Sequence, residues 1–274
     1  MAEAQRLFVF GLGYCASRIA ATLRASSWEI TATGSAGDLA FGDEPAVRAA
    51  LARADYVLAS VPPADGADPV LARYGDALVG KWLGYLSSTG VYGDCGGAWV
   101  DETAGIGGGR RNARAEADAA WLERGARSFR LPGIYGPGRS ALDRVRAGRA
   151  HRIDLSAQVF SRVHVEDIVS GVLAALTAPP GAYNLADDLP CSQNAVIEEA
   201  CRLLRVPLPP LLTLDQADLS PMAAGFYAEN RRIASGKAKR VLGWRPRYPT
   251  FREGLRSLLA GTASDLPADL SAPA

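Results

Sequence analysis

Lysine is almost absent from this chain, and long apolar runs are missing. Only Lys81, Lys237 and Lys239 occur among the 30 basic residues, so nearly all positive charge belongs to arginine. The 29 acidic residues bring the formal net charge to +1, which provides no basic surface for nucleic acid or for an anionic membrane. No window is apolar enough to span a bilayer, and the N-terminus lacks a signal-peptide pattern. We therefore expect a cytoplasmic protein with neither nucleic-acid nor membrane partners.

Cysteine and histidine are too few and too scattered for a metal centre. The four cysteines are Cys15, Cys95, Cys191 and Cys201, and no two of them form a C-x-x-C pair. Only two histidines occur in the chain. Because a structural zinc site needs several such ligands at close spacing, we expect no bound metal. Free thiols in a reducing compartment are the simpler interpretation.

Short apolar runs alternate with helical patterns through the first 135 residues. The predicted strands are 7–10, 28–33, 56–60, 82–87 and 128–131, with a weaker one near 39–41. The predicted helices are 13–25, 46–53, 68–79 and 110–124. Strands separated by helices at this spacing pair in parallel through right-handed crossovers. The pattern predicts an α/β fold with a Rossmann-type doubly wound parallel sheet.

This alternation changes after Pro132, which sets the predicted domain boundaries. Helices are expected near 139–149 and 166–177, and a further strand near 182–186. The predicted domains are a dinucleotide-binding Rossmann domain, 1–135 with about 161–186, and a smaller, mostly helical C-terminal lobe for substrate, 136–160 with about 187–261. Residues 262–274 contain little apolar surface and are expected to form a flexible tail.

The segment Gly11-Leu12-Gly13-Tyr14-Cys15-Ala16 fits the pattern G-x-G-x-x-G/A between the first predicted strand and helix. The first glycine permits a tight turn, the second lets the backbone approach a pyrophosphate, and the small third residue lets the helix pack on the strand. The helix N-terminus then offers free N–H groups to the phosphates. A glycine-containing loop in a glycine-rich chain is the competing interpretation, but the position after a strand favours a dinucleotide site.

The end of the second predicted strand bears on which dinucleotide would bind. An NAD site usually has an acidic residue about 20 residues downstream of the glycines, where it holds the ribose 2′-hydroxyl. Here Gly34 and Ser35 follow the strand, and the first carboxylate is Asp38. Ser35 can donate to a 2′-phosphate, which favours NADP over NAD. The arginine that usually accompanies a 2′-phosphate is missing, so NAD stays open.

Five later segments resemble, in order, the extended short-chain dehydrogenase/reductases. They are LSSTGVYGD (86–94), RLPGIYGPG (130–138), RVHVEDIVSGV (162–172), AYNLADD (182–188) and KAKRVLGWRPRYPTFREGL (237–255). The chain is most similar to an atypical branch, the nucleoside-diphosphate-sugar epimerase-like proteins of the NAD-dependent epimerase/dehydratase family. The resemblance spans nearly the whole chain, and it implies the Rossmann fold, a dinucleotide cofactor and a small-molecule substrate.

The resemblance also implies which residues form the site. Ser88 takes the place of the family's Ser/Thr, which hydrogen-bonds the substrate oxygen during hydride transfer, and Thr89 and Tyr92 are further catalytic candidates. The expected cofactor-binding residues are Gly11, Gly13, Tyr14, Cys15, Ala16, Gly34, Ser35, Ser60, Val61, Pro62, Ser87, Pro132 and Gly133. The expected substrate-binding residues are Tyr135, Arg111, Arg162 and Arg232. A polar strand end and a solvated arginine surface are the competing interpretations.

The sequence departs from the family at the general acid/base. Its Tyr-x-x-x-Lys motif has no counterpart, because no tyrosine or lysine occurs between Gly93 and Arg130. When Glu116 is matched to the family's trailing glutamate, the tyrosine position holds Gly108 and the lysine position Asn112. A tyrosine with an ordinary pKa near 10 needs a positive neighbour to act as a base near neutral pH.

Two hypotheses follow. The first is an NAD(P)-dependent oxidoreductase or epimerase/dehydratase that acts on a small molecule, such as a nucleotide sugar, with a non-standard acid/base. The second is a catalytically inactive protein that senses NAD(P)(H) or regulates a partner. The apolar residues of helix 112–124 are compatible with a homodimer, although a helix packed on its own sheet gives the same pattern.

Overall fold

A computed structural model describes residues 4–64, 66–108, 112–217, 219 and 221–264, with the side chains of 221–223 and 261–264 excepted. The strands are β1 (Arg6–Phe10), β2 (Glu29–Ala32), β3 (Tyr56–Ala59), β4 (Trp82–Ser88), β5 (Trp99–Val100), β6 (Arg127–Leu131), β7 (Gly133–Tyr135), β8 (Arg152–Ile153), β9 (Arg162–His164), β10 (Gly181–Asn184), β11 (Leu211–Leu212) and β12 (Arg232–Ile233). The helices are α1 (Tyr14–Ala25), α2 (Glu44–Arg53), α3 (Pro69–Tyr74), α4 (Asn112–Glu123), α5 (Ala141–Arg146), α6 (Val165–Ala174), α7 (Gln193–Leu204), α8 (Pro221–Phe226), α9 (Gly236–Val241) and α10 (Phe251–Ser264). Two 3₁₀ turns, Gly75–Leu78 and Thr89–Tyr92, follow α3 and β4.

The central sheet has six strands in the order β10-β6-β4-β3-β1-β2. Every neighbouring pair is parallel; Phe8, for example, lies opposite Thr31 on one side and Val57 on the other. Parallel neighbours require crossover connections, which the intervening helices supply. The predicted doubly wound α/β fold is confirmed.

Apolar side chains of the strands point alternately to the two faces of this sheet. On one face, Val9 joins a buried cluster with Ile19 of α1 and Ile168 of α6. On the other face, Phe10 packs in a cluster with residues of α2, α3 and α4, including Tyr74. Because both faces are covered by helices, the strands are apolar on both sides, as buried parallel strands usually are.

Side-chain caps define where several helices begin. The Asp43 carboxylate accepts a hydrogen bond from the backbone N–H of Ala46 at the start of α2. Asp68 accepts two such bonds, each of 2.9 Å, at the start of α3. Ser140 and Asp143 cap each other reciprocally at α5. Such residues bind the N–H groups that a helix leaves unpaired, which is why the predicted helices begin close to the observed positions.

The strand predicted near 39–41 was wrong. Only a single bridge, between Thr33 and Leu39, forms there. The Asp38 carboxylate accepts a 2.8 Å hydrogen bond from the backbone N–H of Ala32, which folds the chain back beside β2. Phe41 instead packs its ring against Phe10 in the core. The apolar residues that suggested a strand therefore serve the packing of a loop.

Helices α5, α7 and α10 form a separate apolar cluster after the sheet, with Leu142, Ile197 and Phe251 fully buried in it. Short parallel pairs, β7 with β9, β8 with β11 and β5 with β12, connect this region to the sheet's loops. Helix α10 continues to Ser264, three residues into the segment predicted as a tail, and residues 265–274 lie outside the described part. In the described residues, no helix has the length and apolar character needed to cross a membrane.

The apolar residues of α4, which were compatible with a homodimer, pack within the chain. Trp121 is fully buried, stacks on Tyr85 with ring centroids 5.4 Å apart, and donates its indole N–H to Asp68 at 2.8 Å. Ala117 is buried beside it. This pattern therefore arises from packing on the helix's own sheet, and a homodimer stays a prediction.

Candidate functional site

The chain turns sharply after β1 at Gly11, whose φ is +83°. The N–H of Gly11 donates to the hydroxyl of Thr33, and the N–H of Leu12 donates to the carbonyl of the same residue at 2.9 Å. A Cβ atom at Gly11 would lie 3.0 Å from a methyl group of Val61. Both the left-handed backbone and the close contact require glycine here. The first glycine of the motif thus fixes the turn.

Gly13 is the N-cap of α1, and no side chain caps the helix. The first turn of α1 contains no acidic residue, and a Cβ at Gly13 would meet no atom within 4 Å. The first N–H groups of a helix have no partners inside it, so those of Tyr14, Cys15 and Ala16 are left unpaired by α1 itself. An uncapped, positively polarised helix end beside an open glycine fits a pyrophosphate.

The turn lies where the order of the strands reverses. Strand β1 connects to β2 on one side and β2 then connects to β3 on the other side of β1. At the end of β3 the Ser60 hydroxyl donates a 2.5 Å hydrogen bond to the Gly11 carbonyl, followed by Val61 and Pro62. Open α/β sheets bind ligands in the crevice at such a switch point. The structure therefore brings these predicted cofactor residues to one edge.

At the end of β2, Gly34 has a φ of +122° and packs against the turn, its hypothetical Cβ lying 3.1 Å from the Leu12 nitrogen. Ser35 follows and is exposed. The one nearby carboxylate in the sequence, Asp38, already accepts the backbone N–H of Ala32. The strand end therefore presents a hydroxyl group where NAD enzymes usually place an acid.

The end of β4 forms one wall of a cleft of about 470 Å³. Ser88, Thr89 and Gly90 line it together with Pro132 and Gly133, which follow β6. The Ser88 hydroxyl accepts the N–H of Gly90 at 3.1 Å and keeps its own proton for another partner. Ser87 points the other way and is buried; its hydroxyl has no hydrogen-bond partner among the described residues.

Tyr92 does not line this cleft. Its side chain is 4% exposed, and its hydroxyl accepts a hydrogen bond from Arg130 at 3.0 Å and donates one to Asn184 at 2.8 Å. Burial raises the pKa of Tyr92, while the Arg130 charge opposes that shift. A buried hydroxyl with both partners in place supports a structural role for this catalytic candidate.

Tyr135 lines a second cavity of about 370 Å³ that adjoins the cleft. The residue is 8% exposed, and its ring contacts the His164 ring edge-on at 5.1 Å. Its hydroxyl has no hydrogen-bond partner in the described part of the chain. Burial, with smaller contributions from Asp187 and Asp167, raises the pKa of Tyr135 strongly. The hydroxyl therefore stays protonated, and it can donate to a ligand only if the wall around it moves.

The arginines predicted to bind substrate have different positions. Arg162 lines the cleft, but its guanidinium donates to the carbonyls of Phe160, Cys191 and Ser192. Arg232 does not line the cleft and donates to the carbonyl of Gly97. Its neighbour Arg231 faces the cleft instead. Arg111 lies outside the described residues.

Several cleft residues were missed by reasoning from sequence. They are Arg139, Arg144, His151, Phe160, Tyr227 and Glu229. The arginines of the segment after G-P-G have the spacing of a solvated helix surface, and no pattern in the sequence distinguishes a cleft wall from such a surface. The aromatic residues come from loops that are distant in sequence.

The cysteine thiols are unsuited to catalysis. All four cysteines are free, and burial raises the pKa of Cys15 to about 11 and also raises that of Cys95. Both are therefore protonated near neutral pH and unsuited to act as nucleophiles.

Within the described ranges, no group of three His, Cys, Asp or Glu side chains is arranged to hold a metal ion.

The fold is the architecture of the solved epimerases and dehydratases, as the resemblance of the sequence motifs implied. The chain matches dTDP-glucose 4,6-dehydratase from Bacillus anthracis in complex with NAD, with a TM-score of 0.74, 17% identity, and coverage of 96% of this chain and 97% of that one. It matches UDP-glucose 4-epimerase from Thermotoga maritima with UDP-glucose, with a TM-score of 0.74, 16% identity, and coverage of 94% and 100%. At this identity the two matches show the fold alone.

More specifically, the chain belongs to the same family as a conserved protein of unknown function from Silicibacter pomeroyi DSS. The two are 39% identical, with a TM-score of 0.84 over 94% of this chain and 99% of that one. A 3-diazoavenalumate denitrifying reductase from a Streptomyces species is 32% identical over 134 residues. That match spans less than half of each protein, 44% of this chain and 43% of the reductase. No protein-family model matches the sequence.

Proposed function

We propose that this protein is an NAD(P)-dependent oxidoreductase or epimerase-like enzyme acting on a small molecule. One observation carries the proposal: the uncapped first turn at Gly13 and the cleft beginning at Ser88 lie at the same carboxyl edge of one parallel sheet. Open sheets of this kind bind ligands at that edge. The fold shared with a dehydratase solved with NAD supports the cofactor class.

The backbone of Gly11–Ala16 would hold the pyrophosphate, and Ser60, Val61 and the Pro132–Gly133 segment would border the rest of the dinucleotide. A nicotinamide dinucleotide supplies hydride-transfer chemistry when bound. Ser35 stands at the strand end without a competing carboxylate, because Asp38 is engaged by Ala32. We therefore favour NADP over NAD.

Ser88 is the residue proposed to contact the reacting substrate oxygen. Its hydroxyl accepts from Gly90 and can donate its proton into the cleft. Thr89 lines the same wall. The role of the family's tyrosine falls to another group, and Tyr92 stabilises Arg130 instead. The substrate oxygen would then receive its proton from solvent or from a cleft residue such as Tyr227.

We propose that the substrate is a small organic molecule. Nucleotide sugars are one candidate class, since UDP-glucose is held by the solved Thermotoga epimerase. A reduction is supported by the similarity to the 3-diazoavenalumate denitrifying reductase over part of the chain. The proposal also includes a cytoplasmic location, where the four free thiols would stay reduced.

The alternative is a protein that binds NAD(P)(H) without catalysis, as a sensor or regulator. The observation that favours it is the missing acid/base: Gly108 and Asn112 stand at the expected tyrosine and lysine positions, and the hydroxyl of Tyr92 is engaged within the fold. It predicts dinucleotide binding with different affinities for the oxidised and reduced forms.

Calorimetric titration with NADP⁺, NADPH, NAD⁺ and NADH tests the shared part of both ideas. Spectrophotometric assay of NADPH oxidation with aldehydes, ketones, aromatic acids and nucleotide sugars then separates them. For an enzyme, Ser88→Ala lowers kcat at least tenfold and leaves NADPH affinity unchanged. Tight NADPH binding without turnover on any substrate class supports the sensor. Failure to bind any of the four dinucleotides overturns both.

A further inference from the structure

The cleft and its adjoining cavity are rich in positive charge. Among the described residues, five arginines and two carboxylates line them: Arg139, Arg144, Arg149, Arg162 and Arg231 against Asp143 and Glu229. The whole chain has a net charge of only +1. A concave site with one sign of charge concentrates ligands of the opposite sign. The distribution therefore points to an anionic ligand.

Most of these charges already have partners. Arg231 forms an ion pair with Glu229 at 2.9 Å, and the donors of Arg162 are directed to backbone carbonyls. Asp143 is engaged with Ser140 at the cap of α5. The carboxylates of the cleft are thus unavailable to neutralise the remaining arginines.

Arg139, Arg144 and Arg149 are different, because within the described residues none of these side chains has a hydrogen bond or an ion pair. Arg139 and Arg144 line both the cleft and the adjoining cavity, whereas Arg149 lines the cavity alone. Arg139 lies over the ring of Tyr14, beside the dinucleotide turn, with 5.6 Å between guanidinium carbon and ring centre. Desolvation by surrounding protein lowers the pKa of Arg144; Tyr227 opposes this shift, and the charge of Arg162 adds to it. An anion at this point would stabilise the charged form of Arg144 and so offset the desolvation and the repulsion by Arg162.

The cleft wall that contains Arg144 includes two aromatic rings, Phe160 and Tyr227. The rings of Phe160 and Tyr227 meet edge-on with centroids 5.5 Å apart. Ile134 and Val159 extend this surface. The rings provide a flat apolar surface on which an aromatic or unsaturated group could pack.

We infer that the cleft binds a small aromatic or unsaturated carboxylic acid, with its carboxylate on Arg144 and Arg139 and its flat body against Phe160 and Tyr227. A guanidinium matches a carboxylate through two parallel hydrogen bonds, which fixes the orientation of the acid. The inference rests on the proposed function, since it names the substrate class of that same cleft. Arg144 is the substrate-binding residue it adds.

Binding of three probes tests the inference by calorimetry, with and without saturating NADP⁺. They are 4-hydroxycinnamate, its neutral analogue 4-hydroxycinnamamide, and UDP-glucose. The acid should bind at least tenfold more tightly than the amide. Arg144→Gln should weaken acid binding at least tenfold and remove the preference, whereas Arg144→Lys should retain part of it. Arg146→Gln, on the same helix but away from the cleft, should leave binding unchanged.

Three results would overturn the assignment. The first is no binding of the acid, nor of cinnamate or phenylacetate, at millimolar concentration. The second is equal binding of acid and amide. The third is tighter binding of UDP-glucose that depends on Arg144, which would make the subsite one for a diphosphate. Thermal unfolding of each variant confirms folding. NADPH affinity, measured separately, reports on the proposed function, because Arg144→Gln should leave it unchanged.

Discussion

The Arg130 guanidinium and the Asp118 carboxylate form an ion pair of 2.7 Å whose side chains are only 4% and 0% exposed. The same carboxylate accepts the Ser128 hydroxyl at 2.5 Å, and Arg130 also donates to the Tyr92 hydroxyl. Tyr92 ends the 3₁₀ turn that begins just after Ser88. The pair therefore connects α4 and β6 to the turn that forms the cleft wall.

Breaking this pair should destabilise the whole fold. Asp118→Asn leaves a buried guanidinium without its counter-ion, which typically costs about 3–5 kcal/mol. Urea denaturation measures the loss. Asp76→Asn, which removes the exposed partner of Arg48, is the matched control and should cause no measurable change. Equal effects of the two variants would contradict a structural role for the buried pair.

Substitutions at the two glycines of the turn should differ in effect: one should lower the stability of the fold, and the other should weaken NADPH binding. Gly11→Ala places a side chain at a φ of +83° and against Val61, which costs about 1–2 kcal/mol in conformation alone. Gly13→Ala meets no atom within 4 Å and should retain most of the stability. It should nevertheless weaken NADPH binding at least tenfold, because its Cβ fills the space left for the pyrophosphate. Denaturation and calorimetry on both variants check this; unchanged NADPH affinity in Gly13→Ala would place the dinucleotide elsewhere.

Ser35→Asp should change cofactor preference. A carboxylate at the end of β2 would repel a 2′-phosphate and accept a hydrogen bond from a 2′-hydroxyl. We expect NADPH affinity to fall at least tenfold while NADH affinity holds or rises. Ser26→Asp, which adds the same charge at an exposed residue just after α1, serves as the control and should leave both affinities unchanged. Calorimetry with both cofactors measures the effect, and a parallel loss for both would argue against a 2′-phosphate site at Ser35.

His164 should make the fold sensitive to acid. Burial, followed by the charges of Arg18 and Arg247, lowers the pKa of His164 from 6.5 to about 4. Between these values the unfolded chain binds a proton that the folded protein does not. The contribution of His164 to the free energy of unfolding is therefore fully present above pH 6.5. It falls by about 3 kcal/mol in total as the pH decreases towards 4.

His164→Asn tests that contribution. Asparagine keeps an acceptor for the N–H of Glu166, which the His164 Nδ1 now binds at 3.2 Å, but it does not titrate. The difference in unfolding free energy between wild type and variant should change across pH 4 to 6.5. Burial raises the pKa of Asp187 to about 7 and so acts in the opposite direction, but it is present in both proteins and cancels. A difference independent of pH would show that His164 does not titrate in this way.

Much of the sheet could be predicted because local patterns and tertiary packing agree. Asp43 and Asp68 precede prolines and cap helices at the predicted places. The prediction of a strand at 39–41 was wrong because the decisive contact is the hydrogen bond from the backbone N–H of Ala32 to the Asp38 carboxylate. A side chain that binds backbone in a loop leaves no periodic pattern in the sequence.

The sequence by itself determined the glycine turn between β1 and α1, since the glycines, the strand before them and the helix after them are local features. Only the tertiary structure decided which side chains face the cleft. Arg231 lies in its wall while Arg232 turns towards Gly97, and Tyr92 is buried beneath Arg130. The physical reason is that a cleft is formed by residues distant along the chain. Whether Arg144 faces a ligand or solvent depends on where Phe160 and Tyr227 pack.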